Sequence, residues 1–185
     1  VGEYLITVKN TVTLCSIQEV YTVNEPNTFG LTIDSVGDVT CFGGSNGSST
    51  ITMSPTPTVS SITYTVDGGT SQSATLVGGS FTISGLSAGV HAVVISNTGC
   101  SNVTATGVSV STPSNLVASS SAGSISCFGG STTVTVSATG GTAPYTGTGS
   151  FTVSAGSYSY TVTDANGCSS TTTGTVSQPS QLTNT

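Results

Sequence analysis

Residues 155–168 read AGSYSYTVTDANGC, and two features of this stretch decide the fold. Tyr158, Tyr160 and Val162 alternate with Ser157, Ser159, Thr161 and Thr163, the period-two pattern of a strand with one buried and one wet face. Asp164 to Gly167 follow as DANG, in which Asn and Gly suit the left-handed backbone of a hairpin turn. A strand running into a hairpin is therefore expected here. The pattern recurs at residues 88–100, AGVHAVVISNTGC, and again near the start of the chain, where GEYLITVKN at residues 2–10 is followed by Cys15.

Outward from these hairpins the chain reads as a repeat. Each of two copies opens on CFGGS, at Cys41–Ser45 and Cys127–Ser131. Each passes through SFTIS (residues 80–84) or SFTVS (residues 150–154) and closes on PSNL (113–116) or PSQL (179–182). The second copy is shorter, and most of the difference falls between CFGGS and SFT, the kind of place where a surface loop or an added hairpin is tolerated. A third, partial copy holds only the back half of the unit, GEYLITVKN, Cys15 and PNTFGL at residues 26–31. A catalytic site is normally built once, whereas architecture is copied, so the repetition points to structure rather than to an enzyme. The expected organisation is a partial module over residues 1–35, a β-sandwich repeat over 36–116 and a second over 117–185.

Strand signals such as Val134 and Val136 in TTVTVS, frequent turn residues and the lack of helical periodicity give an all-β fold class. The expected fold is a tandem of immunoglobulin-like antiparallel β-sandwiches with one disulfide per module. The bridges expected are Cys41 to Cys100 and Cys127 to Cys168, each tying the first strand of a module to the end of its penultimate strand. On the loop-entropy model each is worth about 4 kcal/mol, a large share of the stability of so small a unit. Cys15 is left unpaired within the chain because the front half of its module is missing.

Composition excludes several functions. With one basic and seven acidic residues the net charge is −6, and Lys9 is the sole cation, so binding to nucleic acid or an anionic membrane is not expected. No apolar run approaches the roughly 20 residues of a spanning helix. The N-terminus lacks a basic segment followed by an apolar core, so any secretion signal is expected to have been removed or to lie outside this sequence. A chain with 4% charged residues needs another source of solubility: its many hydroxyls, attached sugars, or assembly into a polymer.

The CFGGS turn, GGTAPY at residues 140–145, AGSYSYTVTDANGC and QPSQL at residues 178–182 together resemble the SprB-type repeat of large secreted surface proteins of Bacteroidota, gliding adhesins among them. The resemblance covers residues 36–182. In the first copy SPTPTV (residues 54–59) replaces the GGxxPY segment, and DGG at residues 67–69 comes later. It implies an extracellular or cell-surface location, tandem arrangement and a structural or adhesive role, with no catalytic residue.

Individual candidates are few. His91, the sole histidine, falls on the inward position of Tyr158 and Tyr4 and is expected in a core or at its edge. Asp34, Asp38 and Asp67 lack the spacing of a calcium loop and read as turn carboxylates, and no CxxC with histidine suggests zinc, so no metal or cofactor is expected. Asn46 and Asn102 stand in N-glycosylation sequons, and Asp34-Ser35-Val36 resembles an acceptor for O-linked sugar, making Ser35, Asn46 and Asn102 candidate glycan attachment points. Threonine runs such as TTTGTV (171–176) raise ice binding, but the repeat is a whole sandwich rather than a short flat array. Under the alternative reading of a glycan-binding module, Tyr64 and Tyr145 would be the contact aromatics, there being no Trp. The leading expectation is an extracellular tandem-repeat filament, stalk or adhesin shaft that associates head to tail. The unfinished module, with Tyr4, Ile6 and Val8 on one face, would be completed by a neighbouring subunit or repeat.

Overall fold

Alternating apolar and hydroxyl residues become strands throughout. The computed structural model describes residues 2–23, 29–57, 59–96 and 102–184, and every regular element among them is a β-strand. No helix is long and apolar enough to cross a membrane. At the N-terminus β1 (Gly2–Lys9) and β2 (Ser16–Val23) pair antiparallel, from Gly2 opposite Val23 to Lys9 opposite Ser16, and form a two-stranded sheet by themselves.

The first sandwich contains β3 (Gly30–Gly37), β4 (Gly47–Ser54), β5 (Ser61–Val66), β6 (Gln72–Thr75), β7 (Ser80–Leu86), β8 (Gly89–Ser96) and β9 (Val103–Val110). One sheet runs in the order β3-β4-β7 and the other β6-β5-β8-β9, all neighbours antiparallel. Every second residue enters the core: Ile51 and Met53 from β4, Phe81 and Ile83 from β7, Ile62 and Tyr64 from β5, and Val93 and Ile95 from β8. Val108 and Val110 of β9 close it. β3 runs across the expected boundary at residues 35 and 36. Its Leu31 and Ile33 lie opposite Met53 and Ile51 and pack on this core, which ties residues 29–35 to the first sandwich.

The second sandwich faces a sheet of β10 (Val117–Ala122), β11 (Ser131–Thr139) and β12 (Gly149–Ser154) with a sheet of β13 (Gly156–Thr163) and β14 (Ser169–Val176). Its core is built on Ile125, Val134, Val136, Val162 and Val176, with Phe151, Val153, Tyr158 and Tyr160 half-buried around it. The extra length of the first copy is the β5–β6 hairpin. Where β5 would lie, the second sandwich has a turn at residues 140–148 and a single bridge between Thr146 and Thr163. Phe81 and Phe151 hold the same place in their copies. Phe81 is capped by the ring of Tyr64 from β5, at 5.5 Å between centroids, whereas Phe151 stacks on Tyr160 of its own sandwich at 4.3 Å.

Candidate interaction sites at the module ends

The two CFGGS segments fold into the same turn. The N–H of Gly44 donates to the carbonyl of Cys41 at 2.9 Å, and that of Gly130 to Cys127 at 3.0 Å. The third residues, Gly43 and Gly129, sit at φ 73° and 78°, in the left-handed region that glycine adopts without steric cost. Each turn lies where its module ends. Val39 donates its N–H to Ser111, just past β9, and the N–H of Gly129 reaches the side chain of Gln178, just past β14, at 2.7 Å.

The hairpin loops fold by a second shared device. The N–H of Asp164 donates to the carbonyl of Cys168 at 2.9 Å, while its carboxylate accepts the N–H groups of Asn166, Cys168 and Thr142. These backbone donors, Thr142 foremost, hold the Asp164 carboxyl below its ordinary value of 3.8. In the N-terminal hairpin Asn10 does the same work. Its N–H donates to the carbonyl of Cys15 at 2.8 Å, and its side-chain oxygen accepts from Val12 and Thr13 at 2.9 Å each.

These two positions correct the expected disulfides. Cys41 is bonded to Cys168, with the Cα atoms 5.7 Å apart, and Cys127 is a free, exposed thiol; Cys100 lies outside the described residues. The reason is the direction of the hairpin. Within the second module the Cys127 turn sits beside Gln178, past the end of β14, while Cys168 precedes its start. An eight-residue strand, roughly 25 Å at about 3.3 Å per residue, separates them. A disulfide needs its Cα atoms within about 7 Å, so Cys127 and Cys168 cannot bond within the second module, and Cys168 instead bonds the exit turn of the first. At this junction Asn166 also donates to the carbonyl of Thr40 at 3.0 Å. Leu116, in the connection, is buried there, close against Gly141.

The β1–β2 hairpin presents an unfilled surface. Its pairing places Tyr4 opposite Tyr21, Ile6 opposite Glu19 and Val8 opposite Ile17, so Tyr4, Ile6, Val8, Ile17 and Tyr21 share one face. Tyr4 is 54% exposed, Ile6 48%, Val8 63% and Ile17 71%. At the matching positions of β8, His91, Val93 and Ile95 are buried, and Val162 of β13 is fully buried. The same strand pattern thus carries a covered face in both sandwiches and an open one here.

The remaining sequence candidates are dispersed. His91 is buried, as its inward register requires, and directs Nδ1 at the Asp67 carboxylate (2.7 Å) and Nε2 at the Ser87 carbonyl (2.9 Å). Asp67, at an exposed turn, also accepts the N–H of Ala92 at 2.8 Å. This His-Asp pair leaves no nitrogen for a nucleophile, because the Ser87 carbonyl takes the place a serine hydroxyl would need. Asp38 accepts the N–H of Ser111, Asp34 bonds Thr52, and among the described residues no group of three or more potential metal ligands gathers. Tyr64 is 6% exposed, its ring against Phe81 and its hydroxyl on Gln72, so it offers no face to a sugar. Tyr145 is half-buried and donates to the Gly140 carbonyl at 2.6 Å. Ser35 and Asn102 are exposed, Ser35 beside a β-bulge in β3; Asn46 is exposed, but its amide clamps Thr40.

No protein-family model matches the chain, and no match is found among curated protein sequences. Among solved structures the chain is similar to the fibronectin(III)-like modules of Clostridium thermocellum CbhA. Sequence identity is 18%, the TM-score is 0.30, and the alignment covers 80% of this chain and 92% of that one.

Proposed function

We propose that the protein is an extracellular structural unit whose immunoglobulin-like modules associate head to tail into a filament, stalk or adhesin shaft. The observation that carries this reading is the apolar face of β1 and β2, which matches covered strands in both sandwiches and is itself uncovered. A two-stranded hairpin is marginal in water, and an open apolar face with free edges takes a partner. The donor and acceptor surfaces differ, so the contact is heterologous and propagates without closing. The disulfide fits an oxidising compartment outside the cell. The SprB-type resemblance supports the same role, and glycans at Ser35 or Asn102 would supply the solubility that 4% charged residues do not.

Electron microscopy of the purified chain, with and without residues 1–23, tests the reading. Deleting only these residues keeps β3 in the first sandwich. Fibres are expected from the full chain and monomers from the truncated one. Identical fibres from both, or a full chain that stays monomeric at high concentration, overturns the proposal. Attached sugar is tested separately: an intact mass above the bare 18.1 kDa is expected, and a mass equal to it removes glycosylation from the account.

A further inference from the structure

The bridge between modules joins two different kinds of loop, and each kind occurs once more among the described residues with a free thiol. The exit turn of the first module, Cys41, bonds the hairpin loop of the second, Cys168. The exit turn of the second module carries Cys127, and the hairpin loop of the N-terminal fragment carries Cys15; both are exposed free thiols. Cys127 sits in the turn that Cys41 occupies, closed by the same glycine N–H. Cys15 sits in the Asx-closed loop that Cys168 occupies, longer by one residue. The two free thiols are therefore the two complementary halves of one bridge, not two copies of the same half.

We propose that Cys127 of one molecule forms a disulfide with Cys15 of the next, repeating between molecules the junction that Cys41 and Cys168 make within each. This deepens the head-to-tail reading and rests on it. The polarity agrees: the exit end of the second sandwich meets the loop end of the next molecule's hairpin, as the exit end of the first sandwich meets the loop end of the second. A second copy docked at this end sets Asn10 and Cys15 where Asp164 and Cys168 lie in the internal junction.

The bond needs a two-electron oxidant, here a low-molecular-weight disulfide. The Cys127 thiolate attacks it, forming a mixed disulfide and releasing one thiolate. The Cys15 thiolate of the second molecule then attacks the Cys127 sulfur and expels the other. Two electrons pass from the protein thiols to the oxidant, and the two protons end on the released small thiols.

The test is to purify the full chain without reductant, incubate it with oxidised glutathione and map its peptides under non-reducing conditions. A peptide joining Cys15 to Cys127 is expected, with a ladder of multiples on a non-reducing gel that collapses on reduction. Cys15→Ser and Cys127→Ser are each expected to abolish the ladder. Mixed one to one, they are expected to give a dimer and nothing longer, because each keeps only one half of the junction. The wild-type map stands even if a variant misfolds. Cys15 joined to Cys100, Cys127 joined to Cys127, or both thiols still free after oxidation overturns the bridge. Fibres that form without the Cys15–Cys127 peptide overturn the bridge alone, whereas its absence together with monomers throughout overturns the head-to-tail reading as well.

Discussion

His91 faces two acceptors, a carboxylate and a carbonyl, so its imidazole satisfies both when both ring nitrogens carry protons. The Asp67 bond raises its pKa above the ordinary 6.5, with the Ser87 carbonyl adding to the effect, and the same bond lowers Asp67 below 3.8. A raised histidine stabilises fully below 6.5 and loses that contribution as pH climbs through its folded value. A lowered carboxylate stabilises above 3.8 and loses its contribution as pH falls through its own folded value. The pair therefore contributes most between pH 3.8 and 6.5. Gln72, Ile83 and Leu86, which line the same hollow, bring no competing charge. His91→Gln is expected to cost about 1 kcal/mol in that window, discounted because Asp67 is half in solvent, and progressively less above neutrality. Melting curves of both proteins across pH check this, and a pH-independent gap defeats it. The inward position of His91 was legible from its alignment with Tyr158. Its partner was not, because Asp67 is remote in sequence and reaches the imidazole only through the pairing of β5 with β8.

At the level of elements, the hairpins were the legible part. Alternation, a polar loop and a closing cysteine located β1–β2, β8–β9 and β13–β14; each pair is antiparallel, and of the three β8–β9 shifts register, between His91 and Ala92. The β5–β6 hairpin was visible only as extra length between CFGGS and SFT, read as a surface loop or an added hairpin. Its effect is on the core. Phe81, under Tyr64, is 4% exposed, while Phe151 lacks that cover and is half-buried. Phe81→Ala is expected to cost about 3–5 kcal/mol, the range for emptying a closed core site. Phe151→Ala is expected to cost about half as much, because water already reaches part of the ring. Urea titration of the two variants gives the comparison, and equal losses contradict the idea that β5 seals the first sandwich. Tyr64→Ala is expected to lower the cost of Phe81→Ala in a double-mutant cycle, since the two rings share one contact.

For the whole molecule, the disulfide determines how the modules behave together, and it was the feature that sequence reasoning misassigned. In the second module the turn of Cys127 and the hairpin loop of Cys168 lie at opposite ends of β14, which the spacing of the cysteines did not show. The consequence is mechanical. Each sandwich has its own closed cluster of buried side chains, so neither core needs the bridge in order to form. The loop-entropy model gives a closure of 127 residues about 5 kcal/mol, but that figure refers to a fully unfolded chain. If the sandwiches fold independently, most of the constraint acts on their relative orientation instead. Reduction is therefore expected to leave the strand signal of each sandwich intact while freeing the junction, where Asn166 on the Thr40 carbonyl and the burial of Leu116 remain. Small-angle scattering of the wild type and of Cys41→Ser/Cys168→Ser is the measurement, with circular dichroism as the control for folding. A broader distribution of particle lengths is expected in the variant, with an unchanged dichroism spectrum. Identical scattering curves would mean that the noncovalent contacts alone fix the junction, and a collapsed dichroism signal would mean that the bridge holds the cores themselves. Either result removes the view of the disulfide as a stiffener between modules that are otherwise complete.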